Sequence, residues 1–238
     1  MSQFLPADGP GYWNYPLNGE TESNQYRSFC RADLTMLVKY AAAQVDCLAA
    51  GWEFGNREPL GLGDMSEANG DIPGTSTGSP GHPEGTHVDG TDMDIAYYQI
   101  GTSDNRLRPV CEHTAGGVDQ YHCTEVPSTL DVWRTALFIA FFHDSPQLRV
   151  IGVDGQVGPL VDSAIAQLCD AGWYSGPACR SSQMTYETVD EGRGWFGFHH
   201  HHLHVSINGL SSKLVSALSE GPVHSLPTIG SVDRLAIR

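Results

Sequence analysis

Two short segments carry most of the residues in this chain that could do chemistry. The first reads His87-Val-Asp-Gly-Thr-Asp-Met-Asp94, and the second reads His199-His-His-His-Leu-His204 and continues as Val-Ser-Ile207. Neutral imidazoles and one carboxylate form a borderline-soft ligand set that suits zinc. Three protein ligands leave the fourth position of the ion open for water, as in catalytic zinc sites. The two segments together therefore predict a catalytic zinc centre.

The second segment has the period of a β-strand. From His202 to Ile207, polar and apolar residues alternate, which is typical of a half-buried strand. His202 and His204 should share one face with Ser206, while the residues between them face a core. Side chains two positions apart on a strand start about 6.5–7 Å from each other. One histidine can therefore bind a metal while its neighbour acts as a base on a water molecule held there.

The first segment alternates in the same way. In Asp92-Met-Asp94-Ile-Ala96 the two carboxylates should share a face, opposite the apolar residues. His87 lies upstream in a Gly-rich stretch that can fold back toward Asp94. For Asp92, two interpretations stay open: a hydrogen bond that orients His87, or a solvated carboxylate.

At these residues the chain resembles the LAS metallopeptidases, the group named for lysostaphin, D-Ala-D-Ala peptidases and the hedgehog amino-terminal domain. The pattern His87-x6-Asp94, followed far downstream by His202-x-His204, carries the likeness. Within the group, the chain is most similar to the penicillin-insensitive murein endopeptidases. The likeness covers about residues 10–208. It is extended by four further features, which are Gly63-Asp64-Met65-Ser66, Tyr97-Tyr98, residues 148–153 and His199.

The resemblance implies roles for five residues. His87, Asp94 and His204 would bind zinc, His202 would be the general base, and His199 would be a second catalytic histidine that hydrogen-bonds the developing oxyanion. It also implies a substrate, the D-alanyl-diaminopimelate cross-links of peptidoglycan, hydrolysed by metal-activated water. Two alternatives stay open: a D,D-carboxypeptidase or dipeptidase acting on wall peptides, and a non-catalytic zinc-bearing binding module.

The chain departs from this family in two respects, one of which is a long loop from Gly70 to Glu84 that is rich in Gly, Ser and Pro and could change the substrate preference. Some members have another histidine three positions before the first ligand, where this chain has Glu84. A second metal held by Asp119 and His122 is an open alternative. We expect His200 and His201 to be bystanders. Four other histidines are expected to be ordinary surface or core residues, namely His82, His113, His143 and His224.

The six cysteines are compatible with disulfides and an oxidising compartment. Cys111 with Cys123, and Cys169 with Cys179, could each close a short loop. Cys30 and Cys47 bracket one predicted helix and would lie about 25 Å apart at 1.5 Å per residue, too far for a bridge. Buried free thiols in a cytosolic protein are the alternative.

Charge and hydropathy narrow the class of protein. The 28 acidic residues against 13 basic ones give a net charge of −15, which would repel phosphate backbones, so we expect no nucleic-acid partner. No apolar stretch is long enough to span a membrane. The first residues do not resemble a signal peptide, so an exported protein would have lost its signal or would use another route. We expect a periplasmic or secreted location, and the oligomeric state is unknown.

Predicted helices and strands, which must position these residues, alternate along the chain. Apolar residues from Leu34 to Leu48 recur at helical spacing, and Ser128-x-x-Asp131 resembles a capping box that opens a second helix. Residues 148–153 read as a strand and 159–171 as a third helix. Strands are predicted at 87–98 and 202–207. The sequence thus predicts one α+β domain over residues 1–238, with a mainly antiparallel central sheet flanked by helices, a core at about 10–208 and a C-terminal extension at 209–238.

Overall fold

A computed structural model describes residues 1–17, 20–21, 26–182 and 184–209. Met1–Asn208 forms one compact unit. The predicted C-terminal extension lies, beyond Gly209, outside the described residues. His224 lies there as well.

Three helices and eleven strands are described. The helices are α1 (Ala32–Leu48), α2 (Val132–Phe142) and α3 (Gly158–Asp170). The strands are β1 (Ser2–Gln3), β2 (Asp8–Gly9), β3 (Tyr12–Asn14), β4 (Phe29–Cys30), β5 (Leu60–Leu62), β6 (Asp92–Ala96), β7 (Thr114–Ala115), β8 (Val118–Asp119), β9 (Leu148–Gly152), β10 (Met184–Thr185) and β11 (His202–Ile207).

A seven-stranded sheet forms the centre of the fold, in the order β10-β9-β11-β6-β5-β3-β2. The pairs β10–β9 and β3–β5 are parallel, and the other four neighbouring pairs are antiparallel. The predicted α+β class with a mainly antiparallel sheet is therefore confirmed. The two strands predicted to carry the metal ligands, β6 and β11, are direct neighbours in the middle of the sheet.

The helices bury their apolar faces in one core with the sheet. Leu34, Val38, Leu137 and Ile165 belong to the same buried cluster as Leu203 of β11, and α2 packs against both α1 and α3. The predictions for α1 and α3 agree with the observed bounds to within two residues. The N-cap of α2 is Asp131, whose side chain accepts a hydrogen bond from the Arg134 N–H at 3.1 Å, so the predicted capping box was placed one turn too early.

Two disulfides fix loops outside the sheet. Cys111 is bonded to Cys123 and Cys169 to Cys179, as predicted from their spacing. Cys30 and Cys47 are not bonded to each other, as predicted, and both are free; Cys30 is buried and Cys47 is exposed. These bonds are compatible with an oxidising, extracytoplasmic compartment. Within the described ranges, we find no helix that is both long enough and apolar enough to cross a bilayer.

Candidate metal centre

The pairing of β6 with β11 brings the two polar faces together. His204 lies opposite Asp94, and Ser206 lies opposite Asp92. Residues directly opposite each other on antiparallel strands place their side chains on the same face. The alternation in each segment therefore puts carboxylates beside imidazoles on one face, while Leu203 and its apolar neighbours are buried on the other.

One carboxylate oxygen is the focus of this face. The Oδ1 atom of Asp94 lies 3.3 Å from Nε2 of His87, 3.3 Å from Nε2 of His202 and 3.0 Å from Nδ1 of His204. Burial alone would raise the pKa of the Asp94 carboxyl, but the adjacent His202 and His87 imidazoles outweigh it and hold this pKa well below its ordinary value. Asp94 is therefore an anion surrounded by three imidazoles.

His87 reaches Asp94 from a tight turn and not from a strand. Its φ is 54°, and Asp89 and Gly90 also have positive φ, at 55° and 65°. A Cβ on Gly90 would lie 2.8 Å from the Cα of Cys30, so the turn passes directly against β4. The predicted strand over 87–98 is therefore wrong at its start, since β6 begins at Asp92, but the predicted fold-back toward Asp94 is confirmed.

The tautomer of His87 is fixed by a backbone carbonyl. Its Nδ1 atom lies 3.0 Å from the carbonyl oxygen of Met65, to which an N–H at this position donates. The lone pair then lies on Nε2, the atom that faces Asp94. A carbonyl partner of this kind is typical of metal-binding histidines.

His204 is held between two carboxylates. Its Nδ1 atom faces Asp94, and its Nε2 atom lies 3.2 Å from Oδ1 of Asp92. Burial lowers the pKa of His204, but the hydrogen bonds to Asp92 and Asp94 outweigh it and raise the pKa to about 9. The interpretation of Asp92 as a partner of His87 is wrong, because this carboxylate orients His204. Its own pKa is about 2, since the hydrogen bonds from His204 and Thr91 outweigh its burial.

His199 is placed beside His202 in a single tautomer. Its Nδ1 atom lies 2.8 Å from the carbonyl oxygen of Gly197, and the rings of His199 and His202 are 5.4 Å apart. Burial, followed by the charge of His202, lowers its pKa to about 3. A neutral ring that donates from Nδ1 has a lone pair on Nε2. In this state His199 can accept a hydrogen bond but cannot donate one to an oxyanion.

His202 is buried, and only one of its two ring nitrogens has a polar neighbour. Its Nε2 atom faces Asp94, while its buried Nδ1 atom has no hydrogen-bond partner among the residues that the structure describes. The anionic Asp94 carboxylate favours a proton on Nε2 in the metal-free protein, while nothing among the described residues holds a proton on Nδ1.

His82 also lies at this centre, so the expectation that it is an ordinary surface or core histidine is wrong. Its ring stacks on His87 with 3.8 Å between centroids, and its Nε2 atom is 2.8 Å from Oδ2 of Asp64 and 3.8 Å from Oδ2 of Asp94. His82, His87 and Asp94 each offer a ligand atom within 4.8 Å of the others. His82 lies in a Gly- and Pro-rich loop whose residues follow neither the spacing of a strand nor that of a helix. The only sequence signal for it is the segment that contains its partner Asp64.

The segment Gly63-Asp64-Met65 forms the base of the centre. The Asp94 N–H donates to the carbonyl of Asp64, and the Gly63 N–H donates to the carbonyl of Asp94, each at 2.8 Å. Behind it, the buried Arg27 guanidinium lies 2.5 Å from the Glu20 carboxylate and 3.6 Å from that of Asp64. A buried ion pair thus supports the loop that orients His87 and His82.

Trp195 forms one wall of the centre. A Cβ on Gly152 would lie 2.0 Å from Cζ3 of Trp195, so the indole packs on the bare backbone of β9. Gly152 is opposite His204 in the sheet, and the ring centroids of Trp195 and His204 are 6.1 Å apart. The buried Glu187 carboxylate holds this loop, because it accepts the Trp195 N–H at 2.6 Å.

The donor set fits zinc. Ligand atoms bound tetrahedrally at about 2.0–2.1 Å lie about 3.3 Å from one another. Three imidazole nitrogens lie 3.0–3.3 Å from Asp94 Oδ1, and the ligand atoms of His82, His87 and Asp94 all lie within 4.8 Å of one another. The described residues therefore contain a candidate His/Asp metal centre.

The predicted second pair, Asp119 with His122, is not brought together as a site. His122 faces the carbonyl of Cys123 and the ring of Phe196. Asp119 lies instead with His113 and His200, whose ligand atoms are within 4.8 Å of one another. His113, expected to be an ordinary surface or core histidine, and His200, expected to be a bystander, thus lie together in a group that could hold a metal ion.

No protein-family model matches the chain, and no curated protein sequence matches it significantly.

Proposed function

We propose that this protein is a zinc-dependent peptidase that hydrolyses D-alanyl-diaminopimelate cross-links in peptidoglycan. One observation carries the proposal: Oδ1 of Asp94 lies 3.0–3.3 Å from one nitrogen of each of His87, His202 and His204. Imidazole and carboxylate groups are the ligands of catalytic zinc sites, and here they are buried side by side.

Three residues would hold the ion. His87 offers Nε2, because its Nδ1 is engaged by Met65, and His204 offers Nδ1, because its Nε2 is engaged by Asp92. Asp94 offers a carboxylate oxygen. When bound, zinc supplies a Lewis acid that polarises the scissile carbonyl and lowers the pKa of its water to about 7.

His202 is the general base in this proposal. Its Nε2 atom is on the same face as the three ligands, and no hydrogen bond on Nδ1 restricts its proton. It takes the proton of the attacking water and delivers it to the leaving amine. A base placed in this way contributes about 10²–10⁴-fold to the rate.

His199 positions the substrate. Its Nε2 lone pair accepts a hydrogen bond from an N–H of the peptide, a role that its neutral tautomer permits. The carbonyl of His199 accepts the Tyr97 hydroxyl at 2.9 Å, which fixes this residue at the rim of the centre.

The substrate class rests on the resemblance of the motifs to murein endopeptidases. The half-buried Trp195 indole adds an apolar wall beside His199 and His204, at 5.3 and 6.1 Å between ring centroids. A flat aromatic surface beside the reacting groups would hold the peptide stem in an extended form.

The test is digestion of purified sacculi by zinc-loaded protein, with chelator and zinc add-back as arms, followed by separation of the muropeptides. Cross-linked dimers should fall and monomers rise, chelator should stop the change, and zinc should restore it. His204→Ala should be inactive. His201→Ala, a neighbour outside the centre, should retain activity. Unchanged cross-linking with the loaded protein would refute the proposal. Release of free D-alanine would indicate a carboxypeptidase, and zinc binding without hydrolysis would indicate a binding module.

A further inference from the structure

A second cluster of metal-type side chains lies apart from Asp94. It comprises His113, Asp119 and His200, called the His113 cluster below, and each residue offers one ligand atom within 4.8 Å of the others. Nδ1 of His113 is 3.1 Å from Oδ1 of Asp119, and the rings of His113 and His200 are 4.9 Å apart. Two imidazoles and a carboxylate again form a borderline-soft set.

One nitrogen of this cluster is unsatisfied. Nδ1 of His200 is buried and has no hydrogen-bond partner among the described residues. Buried polar atoms without a hydrogen-bond partner are rare in folded proteins, and binding of a metal ion by the imidazole is one explanation for them. His200 is itself buried, whereas the His113 and Asp119 side chains are 26% and 39% exposed. The cluster therefore has one fixed buried ligand and two ligands on its solvent side.

The backbone holds the three residues together without a metal. His113 and Asp119 lie in the hairpin β7–β8, where the Gln120 N–H donates to the His113 carbonyl at 2.8 Å. The disulfide between Cys111 and Cys123 closes the loop that contains this hairpin. Both ligands of the hairpin are thus fixed relative to each other before any ion binds.

Two further backbone contacts join the loop to the segment that carries His200. The Val110 N–H donates to the His200 carbonyl at 3.1 Å, and the Phe198 N–H donates to the Tyr121 carbonyl at 2.5 Å. Val110 directly precedes the disulfide-closed loop, and Tyr121 lies near its end. In a flexible chain, the entropy lost on ordering three ligands opposes metal binding. Here the fold already orders the ligands, so most of this loss does not occur on binding.

We infer that His113, Asp119 and His200 form a second site for a zinc-like divalent ion, separate from the centre at Asp94. An ion there ties the disulfide-closed hairpin to the segment between Phe198 and His202, which leads directly into β11. The exposed side of the cluster leaves room for water on the ion, and none of the described contacts supplies a general base there. Because no general base is among the described contacts, we assign this ion no hydrolytic role: it stiffens the segment on which His199 and His202 lie.

The experiment counts zinc ions per chain by equilibrium dialysis and elemental analysis, with Co²⁺ absorption spectra as a second readout. His113→Ala and Asp119→Asn are the test variants. His122→Ala is the matched control, because His122 lies in the same disulfide-closed loop but outside the cluster. Each substitution is also combined in one chain with His204→Ala, which removes a ligand of the Asp94 centre only.

The wild-type protein should bind two zinc ions, and His204→Ala should retain one. Adding Asp119→Asn or His113→Ala to His204→Ala should lower the affinity for the remaining zinc ion. The fall should exceed the ~10–100-fold that is caused by loss of an outer hydrogen-bond partner of a metal ligand. His122→Ala should leave it unchanged. If His204→Ala binds no ion, or if its ion is insensitive to His113→Ala and Asp119→Asn, the inference is wrong. Because this count needs no turnover, it separates failure of the second site from failure of the proposed peptidase activity.

A stability measurement covers the case in which a variant folds poorly. Zinc should raise the melting temperature of His204→Ala, and this rise should disappear when Asp119→Asn is added. An equal rise in both variants would also contradict the inference.

Discussion

His204 lies directly opposite Asp94 in the sheet, and its Nδ1 atom is 3.0 Å from Oδ1 of that carboxylate, although the two residues are 110 positions apart in the chain. Strand pairing alone determines this contact. Because β6 and β11 are central strands with neighbours on both sides, the pair is held on a rigid part of the fold. The proposed activity depends on this geometry, and the following predictions test it.

Removing the base should separate metal binding from hydrolysis. We expect His202→Ala to retain zinc at the Asp94 centre, because His87, Asp94 and His204 remain, while its turnover of cross-linked muropeptides falls about 10²–10⁴-fold. His201→Ala, on the next residue, should keep near wild-type turnover. Zinc content and muropeptide release measured on the same samples decide the question. Wild-type turnover in His202→Ala, or loss of its zinc, would show that His202 is not the base.

Asp92 should affect zinc through His204. Asp92→Asn keeps the volume but removes the charge that accepts the Nε2–H of His204 at 3.2 Å. We expect zinc affinity to fall about 10–100-fold, as for other carboxylate partners of metal-binding histidines. Asp71→Asn, at an exposed loop carboxylate, serves as the control. Chelator competition measures both, and equal affinities in the two variants would contradict the role given to Asp92.

Zinc binding at this centre should tighten as the pH rises. In the metal-free protein the pKa of His204 is about 9, so below that pH each zinc ion must displace a proton from this ring. Affinity should increase about tenfold per pH unit between pH 7 and 8.5. Chelator competition, corrected for protonation of the chelator, measures the slope. An affinity that does not change over this range would contradict the assignment of His204 as a ligand.

The metal-free protein should show the opposite trend in stability. The pKa of His204 rises from 6.5 to about 9 on folding, so its stabilising contribution is fully present below pH 6.5 and is lost as the pH approaches 9. Melting temperatures of chelator-treated protein should fall over this window. The zinc-loaded protein should not follow the same curve, which makes it the internal control.

The elements and candidate ligands that were predicted from the sequence are those that depend on the regular spacing of polar and apolar residues. Alternation placed Asp94, His202 and His204 on shared strand faces, and the structure puts those faces side by side because β6 and β11 pair in register. Helical spacing located α1 and α3 closely. The start of β6 was not predictable from alternation, because the turn at His87 depends on positive φ values and on the contact of Gly90 with β4.

Contacts that depend only on tertiary folding were not predicted. His82 lies in an irregular loop, and nothing in its spacing indicates that it stacks on His87. Asp119 is near His122 in sequence, yet the β7–β8 hairpin places it with His113 and the disulfide-closed loop places both beside His200. Loop residues are brought together by hydrogen bonds and disulfides whose partners the sequence pattern does not reveal.

The two free cysteines should differ strongly in reactivity. Cys30 is buried, and this burial raises the pKa of its thiol to about 11, whereas Cys47 is exposed. The thiolate is the reactive form, so a thiol reagent at pH 8 should label one cysteine per native chain quickly and the second only after unfolding. Cys47→Ser should abolish the fast phase. Two fast thiols in the native protein would contradict the buried position of Cys30.

The wall of the centre should depend on one buried carboxylate. Glu187 accepts the backbone N–H groups of Glu191, Arg193 and Trp195 at 2.8, 3.2 and 2.6 Å, and so shapes the loop that lays Trp195 on Gly152. Glu187→Gln replaces one acceptor oxygen with a donor, which cannot pair with these N–H groups. We expect the KM for muropeptide dimers to rise several-fold while zinc content stays the same.

The matched control for this prediction is Glu191→Gln. Its carboxylate is exposed and pairs only with the Arg193 guanidinium at 2.9 Å among the contacts described, so its KM should stay near the wild-type value. Trp195→Ala should reproduce the rise in KM seen in Glu187→Gln, and the double variant should add little to either, because both changes remove the same surface. Additive effects of the two substitutions would mean that Glu187 acts on the substrate by a route other than Trp195.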